Sequence, residues 1–197
     1  MESKELQTGK AGEYLVCADL ILKGFVAYPS EQGLPYDVVL DVNGRLLKVQ
    51  VKTTYTYRTV PQRQTVSYAY IFNIKRKGKK RQKRYSKEEI DIFALVCLDT
   101  MEVGYLLNED MPDTINIRVE KFRGTYHDEQ GVITAKKCEE MYKTIKNQSE
   151  IARLLGIHVA LVNSYVRNGF KPFITKARYF SDFKRNKNWF YENFGNK

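Results

Sequence analysis

The chain has 197 residues, 43% hydrophobic and 28% charged, enough for one medium-sized core with a small appendage. Its 33 Lys and Arg against 23 Asp and Glu leave a formal charge of +10, which favours an anionic polymer as partner and argues for association, not for a fold. No run approaches the ~20 apolar residues of a membrane span, and no basic start leads into an apolar export signal, so the expected location is cytoplasmic, at the nucleoid through DNA. Three scattered cysteines fit buried reduced thiols, and two histidines outside the expected core argue against a zinc or histidine-metal nuclease.

Thr8-Gly9-Lys10-Ala11-Gly12-Glu13 opens the first expected helix, with Tyr14, Leu15, Ala18, Ile21 and Leu22 at three-to-four spacing. Gly24 stands where a glycine would stop it. A carboxylate in the first turn has two readings. Glu13 either complements the helix dipole or faces a site on the sheet as an additional metal or water ligand.

Tyr36 to Val42 reads as a strand and Arg45 to Lys52 as the next, joined by Asn43-Gly44. Asn-Gly between apolar runs signals a tight hairpin, because both residues tolerate positive φ. With a two-residue loop Val42 faces Arg45, and counting outward sets Asp37 opposite Gln50. Lys52, two residues on, returns to the face of Gln50. A carboxylate beside an amide oxygen is a hard-oxygen site suited to Mg²⁺, with Mn²⁺ as a substitute, and the Val51 carbonyl can add a ligand. The Lys52 ammonium can stabilise charge on a phosphoryl oxygen or help hold an attacking water deprotonated. Phosphodiester hydrolysis needs this inventory. The alternative is a solvated outer hairpin face.

Val66 to Ile74 follows as a strand with Tyr68, Tyr70 and Phe72 on one face, read as packing in preference to base stacking. Lys75, Arg76, Lys77, Lys79, Lys80, Arg81, Lys83 and Arg84 then form a run too charged to pack. It is solvated when free and a phosphate-binding arm when DNA is present. Asp91 to Leu98 is nearly continuous in apolar residues, as a strand buried on both faces requires. Tyr105-Leu106-Leu107 and Ile115 to Val119 add short strands. The expected fold is an α/β sandwich, a mixed sheet flanked by helices.

Ser149 to Ile157 reads as the first helix and turn of a helix-turn-helix, capped by Gln148 or Ser149, and His158 to Val166 as the second helix. That second helix, with Asn163, Ser164, Tyr165 and Arg167, would enter the major groove of duplex DNA; the same pattern also suits a plain packed helix pair. The tail from Lys176 is rich in Lys, Arg and aromatic residues, which favours packing on the body or on a second subunit over base stacking. The organisation expected is a core at 1–125 carrying the basic loop 75–84, a helix-turn-helix-like region at 126–173, and the tail at 174–197.

Glu13, Asp37, the hairpin and Gln50-Val51-Lys52, in that order, resemble the PD-(D/E)XK nuclease superfamily, and Tyr85 to Val96 looks like the strand after its core hairpin. The resemblance covers roughly the first 120 residues. Tyr36 stands where that family has Pro, and Gln50 where Asp or Glu is usual, a variant similar to the branch of bacterial intron-encoded homing endonucleases and shared by some restriction enzymes. It implies a restriction-endonuclease-like core and a Mg²⁺-dependent, site-specific endonuclease in which Asp37, Glu13, Gln50 and Val51 serve the metal and Lys52 the water and phosphate. One site cuts one strand, so double-strand cleavage implies a homodimer or higher oligomer. A junction resolvase, a restriction enzyme, a DNA-binding protein with a decayed site and a sequence-independent RNA binder are the alternatives.

Overall fold

The computed structural model describes residues 3–61, 66–75, 85–124, 126–171 and 178–195. Its described part is mixed α/β. The larger sheet has the order β1–β2–β3–β6–β7, from β1 (Val26–Pro29), β2 (Val38–Val42), β3 (Arg45–Thr54), β6 (Ile92–Cys97) and β7 (Glu102–Leu107). A smaller sheet has the order β4–β5–β8, from β4 (Arg58–Pro61), β5 (Val66–Asn73) and β8 (Thr114–Arg118). The helices are α1 (Lys4–Leu22), α2 (His127–Thr144), α3 (Gln148–Leu155), α4 (Val159–Arg167) and α5 (Lys187–Phe194).

The hairpin fixes the register of the larger sheet. Asn43 and Gly44 take φ of 54° and 84°, Val42 pairs with Arg45, and Val38 pairs with Val49. Asp37 N–H donates to Val49 O at 2.9 Å, extending the ladder one step beyond β2. Strand β6 then runs parallel to β3, every residue buried as its composition requires. It starts later than expected. Residues 85–91 form a hydrogen-bonded turn in which Ser86 and Glu89 bond each other's backbone N–H, at 2.8 and 3.2 Å.

Helix α1 starts four residues earlier than its expected opening at Thr8, because Ser3 caps it by accepting from Leu6 N–H at 3.2 Å. Glu13 is therefore mid-helix, and the dipole reading lapses. The buried stripe is Gly12, Val16, Cys17 and Leu20, whereas Tyr14, Ile21 and Leu22 are exposed, opposite to the apolar face expected. Apolar spacing misassigned the face because Gly12 lets the helix sit close to the sheet. Gly24, at φ 84°, closes the helix: Gly24 N–H donates to Ile21 O and Phe25 N–H to Leu20 O.

The C-terminal segment packs within this first unit. Phe190 and Phe194 of α5 are buried with Phe25, Val42 and Tyr105 in the main core. Tyr105 N–H donates to Phe183 O at 2.9 Å, so the segment covers the outer edge of β7. Tyr70 and Phe72 are buried and both meet the Phe180 ring, as a packing role requires.

The chain divides into two compact units, one comprising 1–59, 68–119 and 178–197, the other 60–67 and 120–177. The second contains α2, α3 and α4 around Ala135, Cys138, Ile151, Ala152, Val162 and Tyr165. Asn147 caps α3, in place of the expected Gln148 or Ser149, by accepting from Ser149 and Glu150 N–H. Gly156 turns the chain at φ 65°, and His158 Nδ1 caps α4. All three cysteines are buried and free, and no described helix is long and apolar enough to cross a membrane.

Candidate active site

Asp37 stands at the open end of β2 facing Gln50, as the hairpin count requires. Its Oδ2 accepts from Gln50 Nε2 and, at 2.8 Å, from Val51 N–H. Gln50 is 7% exposed and also donates to Val51 O at 3.3 Å, so the amide is held inside the sheet's rim. The contact observed is that of an orienting donor; the amide oxygen belongs to the same planar group.

The other three expected residues lie around Asp37 on two sides. Gln50 and Lys52 share one face of β3, along with Phe93 of β6, which pairs with Gln50. Val49, Val51 and Thr53 occupy the other face, where α1 packs. Glu13 belongs to that helix, on the flank of its buried stripe, with its side chain 17% exposed. It lines a cleft of about 400 Å³ with Asp37, Tyr36, Lys10 and Ser30. Asp37 is thus the group common to both sides.

The electrostatics match this placement. Burial, first of all, pushes the Asp37 carboxyl above its ordinary value; the Val51 N–H bond pulls it back, the Glu13 charge pushes it up, and Lys52 and Lys10 draw it down. Two carboxylates sharing a cleft are disfavoured together unless a cation joins them. Lys10 supplies part of that compensation, its Nζ lying 2.6 Å from Glu13 Oε2. Among the described residues no group of three His, Cys, Asp or Glu could hold a metal ion. The Gln50 amide presents its nitrogen to Asp37 and Val51 O, and the oxygens at hand are two carboxylates and a backbone carbonyl. Such a set fits Mg²⁺ bound through few protein ligands.

Three contributors escaped sequence reading. Gly12 is where α1 touches β3: a Cβ there would lie 1.9 Å from Thr53 Oγ1. Lys10 was legible only as the i, i+3 partner of Glu13. Tyr85, next to Lys52, gave no signal beyond its place at the end of the basic run.

The family profile for PD-(D/E)XK endonuclease matches residues 1–139. The chain belongs to the PD-(D/E)XK endonuclease family. This PD-(D/E)XK endonuclease is similar, among solved structures, to the bacterial homing endonuclease I-Ssp6803I, at 19% identity over 66% of this chain and 88% of that one, with a TM-score of 0.47. A comparison with curated proteins gives no match.

Of the expected DNA-contacting residues, Lys75 pairs with Asp113 at 2.7 Å, and Arg76, Lys77, Lys79, Lys80, Arg81, Lys83 and Arg84 lie outside the described residues. On α4, Arg167 is exposed and Asn163 and Ser164 half-buried. Tyr165 is placed otherwise than expected. It is 3% exposed, and its hydroxyl donates to Gly131 O at 3.3 Å, because its position falls on the stripe that packs against α2.

Proposed function

We propose that this PD-(D/E)XK endonuclease is a Mg²⁺-dependent, site-specific enzyme of the homing type, cutting both strands of duplex DNA as a homodimer or higher oligomer. The observation that carries the reading is Asp37, bonded to Gln50 and Val51 on one side and sharing a cleft with Glu13 on the other. Asp37 and Glu13 would hold the cation, with the Gln50 amide and the Val51 carbonyl completing or orienting its shell. A bound Mg²⁺ supplies charge neutralisation at the scissile phosphate and lowers the pKa of water.

The chain's own residues do the rest. Gln50 holds Asp37 in one rotamer, so the carboxylate reaches the reaction in its working orientation. Lys52 presents an ammonium to the phosphoryl oxygen that gains charge, a stabilisation that strengthens where water is excluded. The basic run 75–84 grips the backbone, and α4, with Asn163, Ser164 and Arg167 and without Tyr165, reads the major groove. Gln50 in the position of an acid supports the homing type over a resolvase; some restriction enzymes share that variant, and the recurrence of a single long site in the test below separates them. Two strands and one site per chain support the oligomer.

The test is a random duplex library incubated with Mg²⁺, its broken ends sequenced, for wild type and Lys52→Ala. Wild type should give one recurrent break and the variant none. Unchanged cleavage by Lys52→Ala removes the assignment, and cutting of four-way junctions regardless of sequence redirects it to junction resolution.

A further inference from the structure

Lys52 has a partner that the reaction, as described, leaves unused. Its Nζ donates to Tyr85 Oη at 3.3 Å and lies 5.2 Å from the centroid of the same ring. The first is within hydrogen-bond range, and the two distances together place the ammonium off the hydroxyl edge of the ring. A lysine alone is a poor device for placing charge, since four rotatable bonds spread its ammonium over many positions.

Tyr85 is itself held. Its ring meets Phe93 edge-on at 5.7 Å and 77°, and Phe93 is 1% exposed on β6, paired with Gln50. The ring also lines a small cavity of about 180 Å³ with Ile74 and Met111. The next residue is pinned from three directions. Ser86 N–H donates to Glu89 Oε2, Ser86 Oγ accepts from Glu89 N–H, and Ser86 O accepts from Asn108 Nδ2 at 3.0 Å. Ser-x-x-Glu reciprocity of this kind normally fixes a helix start; here it fixes the backbone from which Tyr85 projects. A rigid ring on a rigid turn therefore stands on the sheet face shared by Gln50 and Lys52.

We propose that Tyr85 is a positioning residue, which sets the Lys52 ammonium beside Asp37 for the cleavage step without itself touching substrate. The inference rests on the role given to Lys52 above. A positioning residue acts on turnover and leaves substrate capture alone.

The experiment uses the full chain, Mg²⁺ and a duplex oligonucleotide carrying the site recovered from the library, with Tyr85→Phe, Tyr85→Leu and Lys52→Ala in parallel. Tyr85→Phe keeps the ring and removes only the hydroxyl; Tyr85→Leu removes both. Loss of one net hydrogen bond predicts a kcat about three- to tenfold lower for Phe, and a fall at least as large for Leu, which also removes the ring that sets the hydroxyl in place. KM for the duplex should stay within about twofold for both, as for loss of an interaction made only in the transition state. Wild-type kcat in the Leu variant, or a loss confined to KM, overturns the proposal. Should the Leu variant not fold, the Phe variant decides, and an unchanged kcat overturns it. Lys52→Ala separates the layers. If it is inactive while the Tyr85 series is flat, only the positioning inference fails; if it cuts like wild type, the reading of Lys52 fails with it.

Discussion

Gly12→Ala is a change of one methyl group whose effect the structure sets by distance. Gly12 lies in the third turn of α1, where alanine is the better helix former by about 1 kcal/mol. Against that gain, the new Cβ would lie 1.9 Å from Thr53 Oγ1, 2.9 Å from its Cγ2 and 3.0 Å from its Cβ. Rotating Thr53 can move its outer atoms but not its Cβ, so α1 must lift from β3 by roughly half an ångström to one. Overpacking costs about 1–3 kcal/mol; a contact this deep takes the upper end, leaving about 2 kcal/mol net destabilisation. For a domain of this size that lowers Tm by about 4–8 °C. The same lift carries Glu13 from Asp37, and misplacement by about 1 Å can cost a hundredfold in rate. Gly9, three residues earlier on the same helix, is the control, since a Cβ there meets nothing within 4 Å. Gly9→Ala should raise Tm by about 2–4 °C, from about 1 kcal/mol of propensity. Thermal melts of both variants, with Mg²⁺-dependent cleavage measured beside them, make the comparison. A Gly12→Ala protein as stable and as active as wild type would refute the claim that close approach of α1 builds the site.

Asp37→Asn tests the electrostatics. Since burial raises the folded carboxyl above its unfolded value, the folded protein binds that proton more tightly. Stability without metal is therefore lost as pH rises from the unfolded value, near 3.9, through the raised one, and stays lost above it. In chelator at pH 7 the Asn variant should melt above wild type, the gap should close in acid, and Mg²⁺ should stabilise wild type alone. Asn147→Ala removes the α3 cap and should cost about 1 kcal/mol, read as a lower Tm together with weaker duplex binding. Neutralising four cations of the 75–84 run to Gln should reduce the slope of log K against log salt by about 3.6, measured by fluorescence anisotropy at several salt concentrations.

The hairpin was legible because the turn chemistry and the period of two leave one register: Asn43-Gly44 alone sets Asp37 against Gln50. Strand β6 was legible from its unbroken apolar run. Helix α1 was legible as a helix but not in its facing, because the close contact is made by Gly12, a residue that spacing counts as neutral. Strands β1 and β4 are four residues each, too short for periodicity to emerge. The role of Tyr85 is a relation between residues 33 apart, joined only once β3 and β6 pair in parallel. Tyr165 was misread because a helix that packs on two neighbours buries residues that its own sequence leaves polar in character.

On the proposed reading Asp37 anchors a divalent ion at the end of the hairpin. Crystals of the protein soaked in Mn²⁺ and measured at the manganese edge address it most directly. An anomalous peak is expected within bonding distance of the Asp37 carboxylate, absent in Asp37→Ala. A manganese peak elsewhere with none at Asp37, or one that persists in the variant, would contradict that reading.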